Sequence, residues 1–203
     1  MARYRRHDKF YQQARAQGLR SRAAFKLAEL LARFRLIREG GRAVDLGCAP
    51  GGWLAILADA VGAHGHAVGV DLVACAVIGA NTTVLVGDIL DPSLRARVHA
   101  ALCGKADLVA SDLAPKLTGI KARDEARQIE LLEAAAMMAR DVLRPGGALV
   151  AKVFMGGAFE EARAIFARDF ARVEVVHSRA SRPGSSELYL VAREFSTEGA
   201  AAS

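Results

Sequence analysis

A glycine-rich turn between an apolar run and a helix-like segment constrains the fold of this chain more than any other feature. The run ends at an acid and the turn follows at once, in the order Ala43-Val44-Asp45-Leu46-Gly47-Cys48-Ala49-Pro50-Gly51-Gly52-Trp53. Residues 54–61 are then predicted to form a helix. In α/β proteins, a strand, a glycine turn and a helix bring backbone close to a nucleotide-like ligand at the carboxyl edge of a sheet. Glycine is needed because a Cβ would hold the backbone away or forbid a positive φ.

The spacing of the glycines narrows the class of ligand. The turn lacks the G-x-G-x-x-G order of a dinucleotide site and the Lys-Ser/Thr ending of a P-loop. It therefore suits a nucleoside without a pyrophosphate. S-adenosylmethionine is the commonest ligand of this kind, and it is the cofactor that the turn predicts.

The positive charge of the chain is concentrated near its N-terminus. The 203 residues carry a formal net charge of +6, and residues 1–42 hold 12 of the 28 Lys and Arg but only three of the 22 Asp and Glu. Such a cluster indicates a partner with a phosphate backbone. The alternative is a solvated, charge-rich helix. The shortage of balancing acids favours the nucleic-acid interpretation.

The cysteines and the apolar segments predict a cytoplasmic protein. Cys48, Cys75 and Cys103 are odd in number and widely spaced, with neither C-x-x-C nor metal-ligand spacing. We therefore expect reduced thiols and no metal site. The chain shows no signal-peptide pattern and no apolar run of membrane-spanning length, so we expect no membrane contact.

Strand-like and helix-like segments alternate along most of the chain. Strands are predicted at 43–46, 66–70, 83–86, 107–110, 147–154, 173–178 and 187–193, and helices at 22–34, 52–61, 92–102, 123–143 and 158–171. A break is predicted at residues 144–147, and the alternation indicates a parallel sheet with helices on both faces. Residues 181–186 are too few for a parallel crossover, so the last two strands are predicted to be antiparallel.

This pattern is typical of the Rossmann-like S-adenosylmethionine-dependent methyltransferase fold, an α/β fold. We expect a mostly parallel seven-stranded sheet with one antiparallel strand and helices on both faces. The predicted organisation is a basic segment over 1–20, one domain over 21–195 and a disordered tail over 196–203.

Four acids lie at or just beyond the ends of predicted strands, namely Asp45, Asp71, Asp88 and Asp112. Asp71, about 20 residues past the turn, can accept hydrogen bonds from ribose hydroxyls. Asp88 can accept one from an adenine amino group. Each acid can instead cap the segment that follows it. Their recurrence after successive strands, together with the turn, favours ligand binding.

A lysine, Lys152, interrupts the apolar run 150–154. A lone buried ammonium is costly, so such a lysine is usually paired and functional. The alternative is a lysine at the strand end that reaches water. Three further segments complete the pattern, 21–27 (SRAAFKL), 110–115 (ASDLAP) and 181–189 (SRPGSSELY).

Together with the glycine turn, these segments resemble the FtsJ/RrmJ (RlmE) family of ribose 2′-O-methyltransferases, from about Tyr11 to Arg193. The resemblance implies a Lys-Asp-Lys-Glu catalytic tetrad on Lys26, Asp112, Lys152 and Glu187. It implies S-adenosylmethionine contacts at Gly51, Trp53, Asp71, Asp88 and Asp112. Two departures stand out, because Cys48 replaces the alanine of many members and residues 72–82 do not match the family pattern.

The chemistry of this reaction explains the tetrad. A ribose 2′-hydroxyl is a weak acid, so a base must remove its proton, and Lys152 is the candidate. An isolated lysine is protonated at neutral pH. Burial, the neighbouring Lys26 and a sulfonium cation each favour the neutral amine. Asp112 and Glu187 would orient the two lysines and compensate their charge, and no metal is required.

The resemblance implies methylation of a uridine in the large-subunit (23S) rRNA, in support of 50S ribosomal subunit maturation. We further expect a monomer with an RNA-facing basic segment over 1–20 and no DNA partner. The alternatives are the same chemistry on tRNA or mRNA caps, and a non-catalytic RNA-binding ribosome-assembly factor. The complete tetrad argues against the assembly factor. An N-methyltransferase is disfavoured because residues 111–115 offer no aromatic side chain to stack on a base.

Overall fold

Helices and strands alternate through residues 22–157, 159–178 and 186–197, which the computed structural model describes. The helices are α1 Arg22–Phe34, α2 Gly52–Val61, α3 Pro92–Leu102, α4 Lys121–Val142 and α5 Phe159–Ala167. The strands are β1 Arg42–Leu46, β2 His66–Asp71, β3 Thr82–Val86, β4 Ala106–Ser111, β5 Leu143–Phe154, β6 Phe170–Val176 and β7 Glu187–Phe195. The predicted basic segment 1–20, residues 181–185 of the last connection and the chain beyond 197 lie outside the described residues.

The strands form one seven-stranded sheet in the order β3-β2-β1-β4-β5-β7-β6. The pairs from β3 to β5 are parallel, and β7 runs antiparallel to both β5 and β6. The predicted fold class and the predicted antiparallel last pair are therefore confirmed. The strand order reverses between β1 and β4, and ligands of such sheets bind beyond the carboxyl ends of the strands at this point.

Alternate residues of each strand pack into two apolar cores on opposite faces of the sheet. Val44 and Leu46 of β1 belong to the core beneath α3, α4 and α5. Ala43 belongs to the core beneath α1 and α2. Because side chains alternate along a strand, Asp45 lies on the α1–α2 face, and the same alternation in β5 places Lys152 there.

The sequence predicts a loop at residues 144–147, between a helix and a strand. This prediction is wrong, because these residues belong to strand β5. Strand β5 begins at Leu143 instead of residue 147, and the partners of Ala106 and Leu108 in β5 are Leu143 and Ala148. The extra residues form a bulge, which accommodates the missing N–H of Pro145 and the positive φ of its successor (74°).

Other predicted boundaries shift by a few residues. The helix predicted at 158–171 ends at Ala167, because Phe170 already pairs with β7. Strand β6 accordingly begins at residue 170 instead of 173. No helix among the described ranges is both long enough and apolar enough to span a bilayer.

Candidate active site

A cavity of about 780 Å³ opens at the carboxyl edge of the sheet, where the strand order reverses. Its wall is built by the turn after β1, the ends of β2 and β3, and the loop after β4. Three of the predicted cofactor-binding residues line it, Asp71, Asp88 and Asp112. Gly51 and Trp53 are not among the lining residues, whereas Gly47 and Ala49 of the same turn are. The motif thus indicated the turn but not which of its residues face the cavity.

Backbone hydrogen bonds hold the glycine turn in place. The N–H groups of Gly47 and Cys48 donate to the carbonyl oxygen of Val70 at 2.9 and 3.1 Å. Gly47 has a φ of 83°, and a Cβ there would lie 3.1 Å from Leu113 Cδ2. Glycine is required at this position both for the backbone conformation and for the approach of the loop after β4.

The acid that ends β2 and the acid that follows β3 each stabilise the loop after them. Asp71 Oδ2 accepts a hydrogen bond from the Ala49 N–H at 3.0 Å, and its Oδ1 accepts one from the Val73 N–H at 3.1 Å. Asp88 Oδ1 accepts from the Leu90 N–H at 3.0 Å. Each carboxylate oxygen can accept a second hydrogen bond, so loop stabilisation and ligand binding are compatible roles for these acids.

Trp53 joins the turn to the helix that carries Lys26. Its indole Nε1 donates to the carbonyl oxygen of Ala23 in α1 at 2.7 Å. Its ring centroid lies 5.9 Å from that of Tyr189, and the side chain is buried. Trp53 therefore fixes α1 against the sheet, a tertiary role that the motif did not reveal.

Asp45 is a buried carboxylate without a hydrogen-bond partner among the described residues. Burial raises its pKa well above the usual value, and the charges of Asp112 and Asp71 raise it further. The Leu54 N–H favours the ionised form slightly, although it does not meet hydrogen-bond geometry with either oxygen. An unpaired carboxyl group therefore lies behind the turn, and burial favours its neutral form.

Lys152 and Asp112 form a close ion pair, in which Asp112 is the partner that lines the cavity. Lys152 Nζ donates to Asp112 Oδ1 at 2.9 Å and to the Asp112 carbonyl oxygen at 2.8 Å. Their side chains are 11% and 25% exposed. Burial raises the pKa of the Asp112 carboxyl, and the charge and hydrogen bond of Lys152 offset only part of this rise. The lysine that interrupts β5 is thus paired, as its burial required.

A second ion pair lies beside the first. Lys26 Nζ of α1 donates to Glu187 Oε1, and the Tyr189 hydroxyl donates to the same oxygen at 2.6 Å. Burial by itself raises the pKa of Glu187, but the hydrogen bonds from Lys26 and Tyr189 and the charges of Lys26 and Lys152 hold it below its usual value. Lys26 Nζ also lies 5.8 Å from the Tyr189 ring centroid.

Strand register brings the two pairs together. In the antiparallel ladder of β5 and β7, Lys152 lies opposite Tyr189 and Phe154 lies opposite Glu187. The charges of Lys26 and Glu187 act on Asp112, and the charge of Lys152 acts on Glu187. The four predicted tetrad residues therefore form one electrostatic cluster. Tyr189 was not predicted to belong to it, although its spacing of two from Glu187 places both side chains on one face of a strand.

The comparisons with known proteins identify the family. The model of the FtsJ-like methyltransferase family matches residues 19–195. The chain belongs to this family. It is 45% identical to the ribosomal RNA large subunit methyltransferase E of Acidithiobacillus ferrooxidans, over 93% of this chain and 85% of that protein. It is 46% identical to the protein of the same name from Myxococcus xanthus, over 93% and 89% of the two chains.

Solved structures share the fold. A Plasmodium falciparum protein described as a ribosomal RNA methyltransferase superposes with a TM-score of 0.75 at 23% identity, covering 87% of this chain and 98% of its own. Aeropyrum pernix fibrillarin, which contains bound S-adenosylmethionine, superposes with a TM-score of 0.59 at 17% identity, covering 86% and 75%. The predicted family, the methyltransferase fold and the dependence of this FtsJ-like enzyme on S-adenosylmethionine are confirmed.

The cavity suits S-adenosylmethionine. Its lining combines apolar side chains with four carboxylates, those of Asp71, Asp88, Asp112 and Asp124, and with three basic side chains, Lys116, Arg123 and Arg127. Acidic groups favour a ligand that carries a sulfonium and an ammonium charge. Asp71, Asp88 and Asp112 line the cavity together with the turn, and these residues would hold the cofactor there. Within the described part of the chain, no three His, Cys, Asp or Glu side chains are grouped closely enough to hold a metal ion.

Proposed function

We propose that the protein transfers the methyl group of S-adenosylmethionine to the ribose 2′-hydroxyl of a uridine in large-subunit rRNA, and so supports maturation of the 50S subunit. The observation that carries this proposal is the ion pair of Lys152 with Asp112, a residue that lines a cofactor-sized cavity. The names of the relatives from Acidithiobacillus and Myxococcus support rRNA as the substrate.

The cofactor, when bound, supplies an electrophilic methyl group on a positively charged sulfur. Lys152 is the proposed general base that accepts the 2′-hydroxyl proton on Nζ. A neutral Lys152 amine has two N–H donors. Asp112 offers them two acceptors, its carbonyl oxygen and Oδ1. The lone pair of Nζ then remains for the substrate hydroxyl. Asp112 thus orients the base while it lines the cavity.

The second pair has a positioning role in this proposal. Lys26 is held by Glu187, and Glu187 is held in turn by Tyr189. The N–H groups of Lys26 that do not bond Glu187 can bind ribose oxygens of the substrate. The gain from holding hydroxyl and methyl donor in line can reach roughly 7–11 kcal/mol. Catalysis by the tetrad is therefore mainly proton removal and alignment.

The substrate class can be tested with labelled S-adenosylmethionine and separate pools of large ribosomal subunits, free rRNA and tRNA. We expect label in the large-subunit or free rRNA pool. Label in tRNA alone would retain the chemistry and reject rRNA as the substrate. Cofactor binding without label in any pool would favour a non-catalytic assembly factor.

The Tyr189→Phe variant tests how Glu187 is kept ionised. Burial raises the pKa of the Tyr189 hydroxyl, so this group stays a hydrogen-bond donor to Glu187. Its removal takes away one of the interactions that lower the pKa of Glu187, and this pKa must rise. We expect the acidic limb of the rate–pH profile to move to higher pH. A profile unchanged from that of the wild type would show that the Tyr189 hydroxyl does not control the ionisation of Glu187.

The basic segment at the N-terminus provides a further test. Reversal of charge at Arg3, Arg5, Arg6 and Lys9 is expected to weaken RNA binding. The variant would make fewer phosphate contacts, so its binding would release fewer counterions. The slope of log affinity against log salt should therefore become shallower. Fluorescence anisotropy with labelled RNA at several salt concentrations measures both effects. An unchanged slope would reduce the segment to a solubilising role.

The proposal also covers partners and location. We infer a monomer that acts in the cytoplasm and binds neither DNA nor membrane, with an RNA-facing segment over 1–20 and a catalytic domain over 21–195. The named relatives come from bacteria, whose ribosomes are assembled in the cytoplasm. The match of the family model over 19–195 supports a single catalytic domain.

A further inference from the structure

Two cysteines meet behind the glycine turn. The Sγ atoms of Cys48 and Cys75 lie 3.4 Å apart, although the residues are 27 positions apart in the chain. These are the two places at which the sequence departs from the family pattern, Cys48 in the turn and Cys75 within 72–82. Both thiols are free. Side chains in van der Waals contact need little movement to form a bond.

The two thiols have different surroundings. Cys48 is 2% exposed, and a Cβ on Gly69 of β2 would lie only 2.9 Å from its Sγ. Cys75 is half-buried in the segment between β2 and β3, so a small oxidant can reach it from solvent. Burial raises the pKa of the Cys48 thiol, as do the hydrogen bond with Cys75 and the charge of Asp45. Cys75 is therefore the thiol that reacts first.

We propose that Cys48 and Cys75 are a modification site for hydroperoxides, which oxidise the pair to a disulfide that weakens the binding of S-adenosylmethionine. In the first step the Cys75 thiolate attacks a peroxide oxygen, the O–O bond breaks, and a sulfenic acid and water (or an alcohol) are formed. In the second step the Cys48 sulfur attacks the sulfenic sulfur and water leaves. Two thiols and one hydrogen peroxide give one disulfide and two water molecules.

The position of the pair connects the disulfide to the cofactor cavity. Ala49 follows Cys48 directly and lines the cavity, and Leu72 lines it from the segment that carries Cys75. The same segment also contacts the turn elsewhere, since a Cβ on Gly51 would lie 3.1 Å from Ile78 Cδ1. A disulfide brings the sulfurs from 3.4 Å to about 2.05 Å. In the proposal this closer approach draws the turn and the segment with Cys75 together, so that two walls of the cavity change position.

The third cysteine offers a matched control. Cys103 is exposed at the end of α3 and its Sγ donates to the Ala100 carbonyl oxygen, not to either partner of the pair. The full chain with Cys103→Ser would be treated with hydrogen peroxide, blocked with a maleimide and digested for peptide mass mapping. We expect a Cys48–Cys75 cross-linked peptide that dithiothreitol removes. The Cys75→Ser and Cys48→Ala variants should not form it.

Calorimetric titration of S-adenosylmethionine tests the consequence for the cofactor, which rests on the proposed function. Oxidised Cys103→Ser protein should bind at least threefold more weakly than the reduced form, and dithiothreitol should restore the affinity. Cys75→Ser treated in the same way should show no change. Oxidation of single thiols without the cross-link would overturn the proposal, as would a cross-link with unaltered affinity. Failure of the reduced protein to bind S-adenosylmethionine would instead contradict the proposed function. Peptide mapping would still show whether the Cys48–Cys75 disulfide forms.

Discussion

Replacement of Lys152 by alanine is expected to abolish methyl transfer while binding of S-adenosylmethionine stays near that of the wild type. Lys152 Nζ is paired with Asp112, which lines the cavity, and the Lys152 side chain is 11% exposed. In the proposed reaction no other described side chain is assigned to take the 2′-hydroxyl proton. Positioned general bases contribute roughly 10²- to 10⁴-fold to a rate, so we expect a loss of kcat at the upper end of this range.

Two further variants test whether Lys152 acts as a base or only as a positive charge. Lys152→Arg keeps a cation beside Asp112 but cannot act as a base near neutral pH, and it should be as inactive as the alanine variant. Lys105→Ala removes an exposed lysine at the opposite end of the sheet, which bonds the Asp141 carbonyl oxygen, and should retain full activity. Substantial turnover by Lys152→Ala would exclude Lys152 as the base.

The Asp112→Ala variant is expected to lose both cofactor affinity and rate. Asp112 lines the cavity, and two of its oxygens hold Lys152 Nζ. Hydrogen bonds to charged groups contribute about 1.5–3 kcal/mol, which corresponds to roughly a 10- to 150-fold increase in Kd. The rate should fall further, because the lysine loses the carboxylate that orients it.

Calorimetry for S-adenosylmethionine and single-turnover methylation measure the two losses separately. Asp59→Ala, on the exposed side of α2, is the matched control and should change neither. Asp112→Asn keeps one acceptor oxygen for Lys152 and should lie between the wild type and the alanine variant. If Asp112→Ala bound the cofactor and methylated RNA normally, the cavity would not be the active site.

The edge of the sheet that carries the site could be predicted from local sequence. Asp71 is the last residue of its strand, and Asp88 and Asp112 follow theirs. Because parallel strands end at a common edge, these acids had to converge. The interruption of an apolar strand by Lys152 likewise required a partner. These inferences depend on the periodicity of apolar residues, the burial of strand side chains and the alternation of strands and helices. Each of these can be recognised in short segments of sequence.

Contacts between distant segments could not be derived in this way. Lys26 and Glu187 are 161 positions apart, and only the family resemblance brought them together before the structure did. The hydrogen bond of Trp53 to the Ala23 carbonyl depends on how α1 packs on α2. The bulge in β5 is a similar case, since its Pro-Gly-Gly sequence is equally typical of a loop. In each case tertiary packing chose between local alternatives.

The position of the transferred methyl group tests the central claim most directly. Large ribosomal subunits would be labelled with the wild-type protein and S-adenosylmethionine, and the RNA hydrolysed in alkali. Alkaline cleavage requires a free 2′-hydroxyl, so a 2′-O-methylated site survives as a dinucleotide. The account predicts label in an alkali-resistant dinucleotide with a 5′ uridine, absent when Lys152→Ala replaces the wild type. Label in ordinary mononucleotides would mean methylation of a base and would contradict the account.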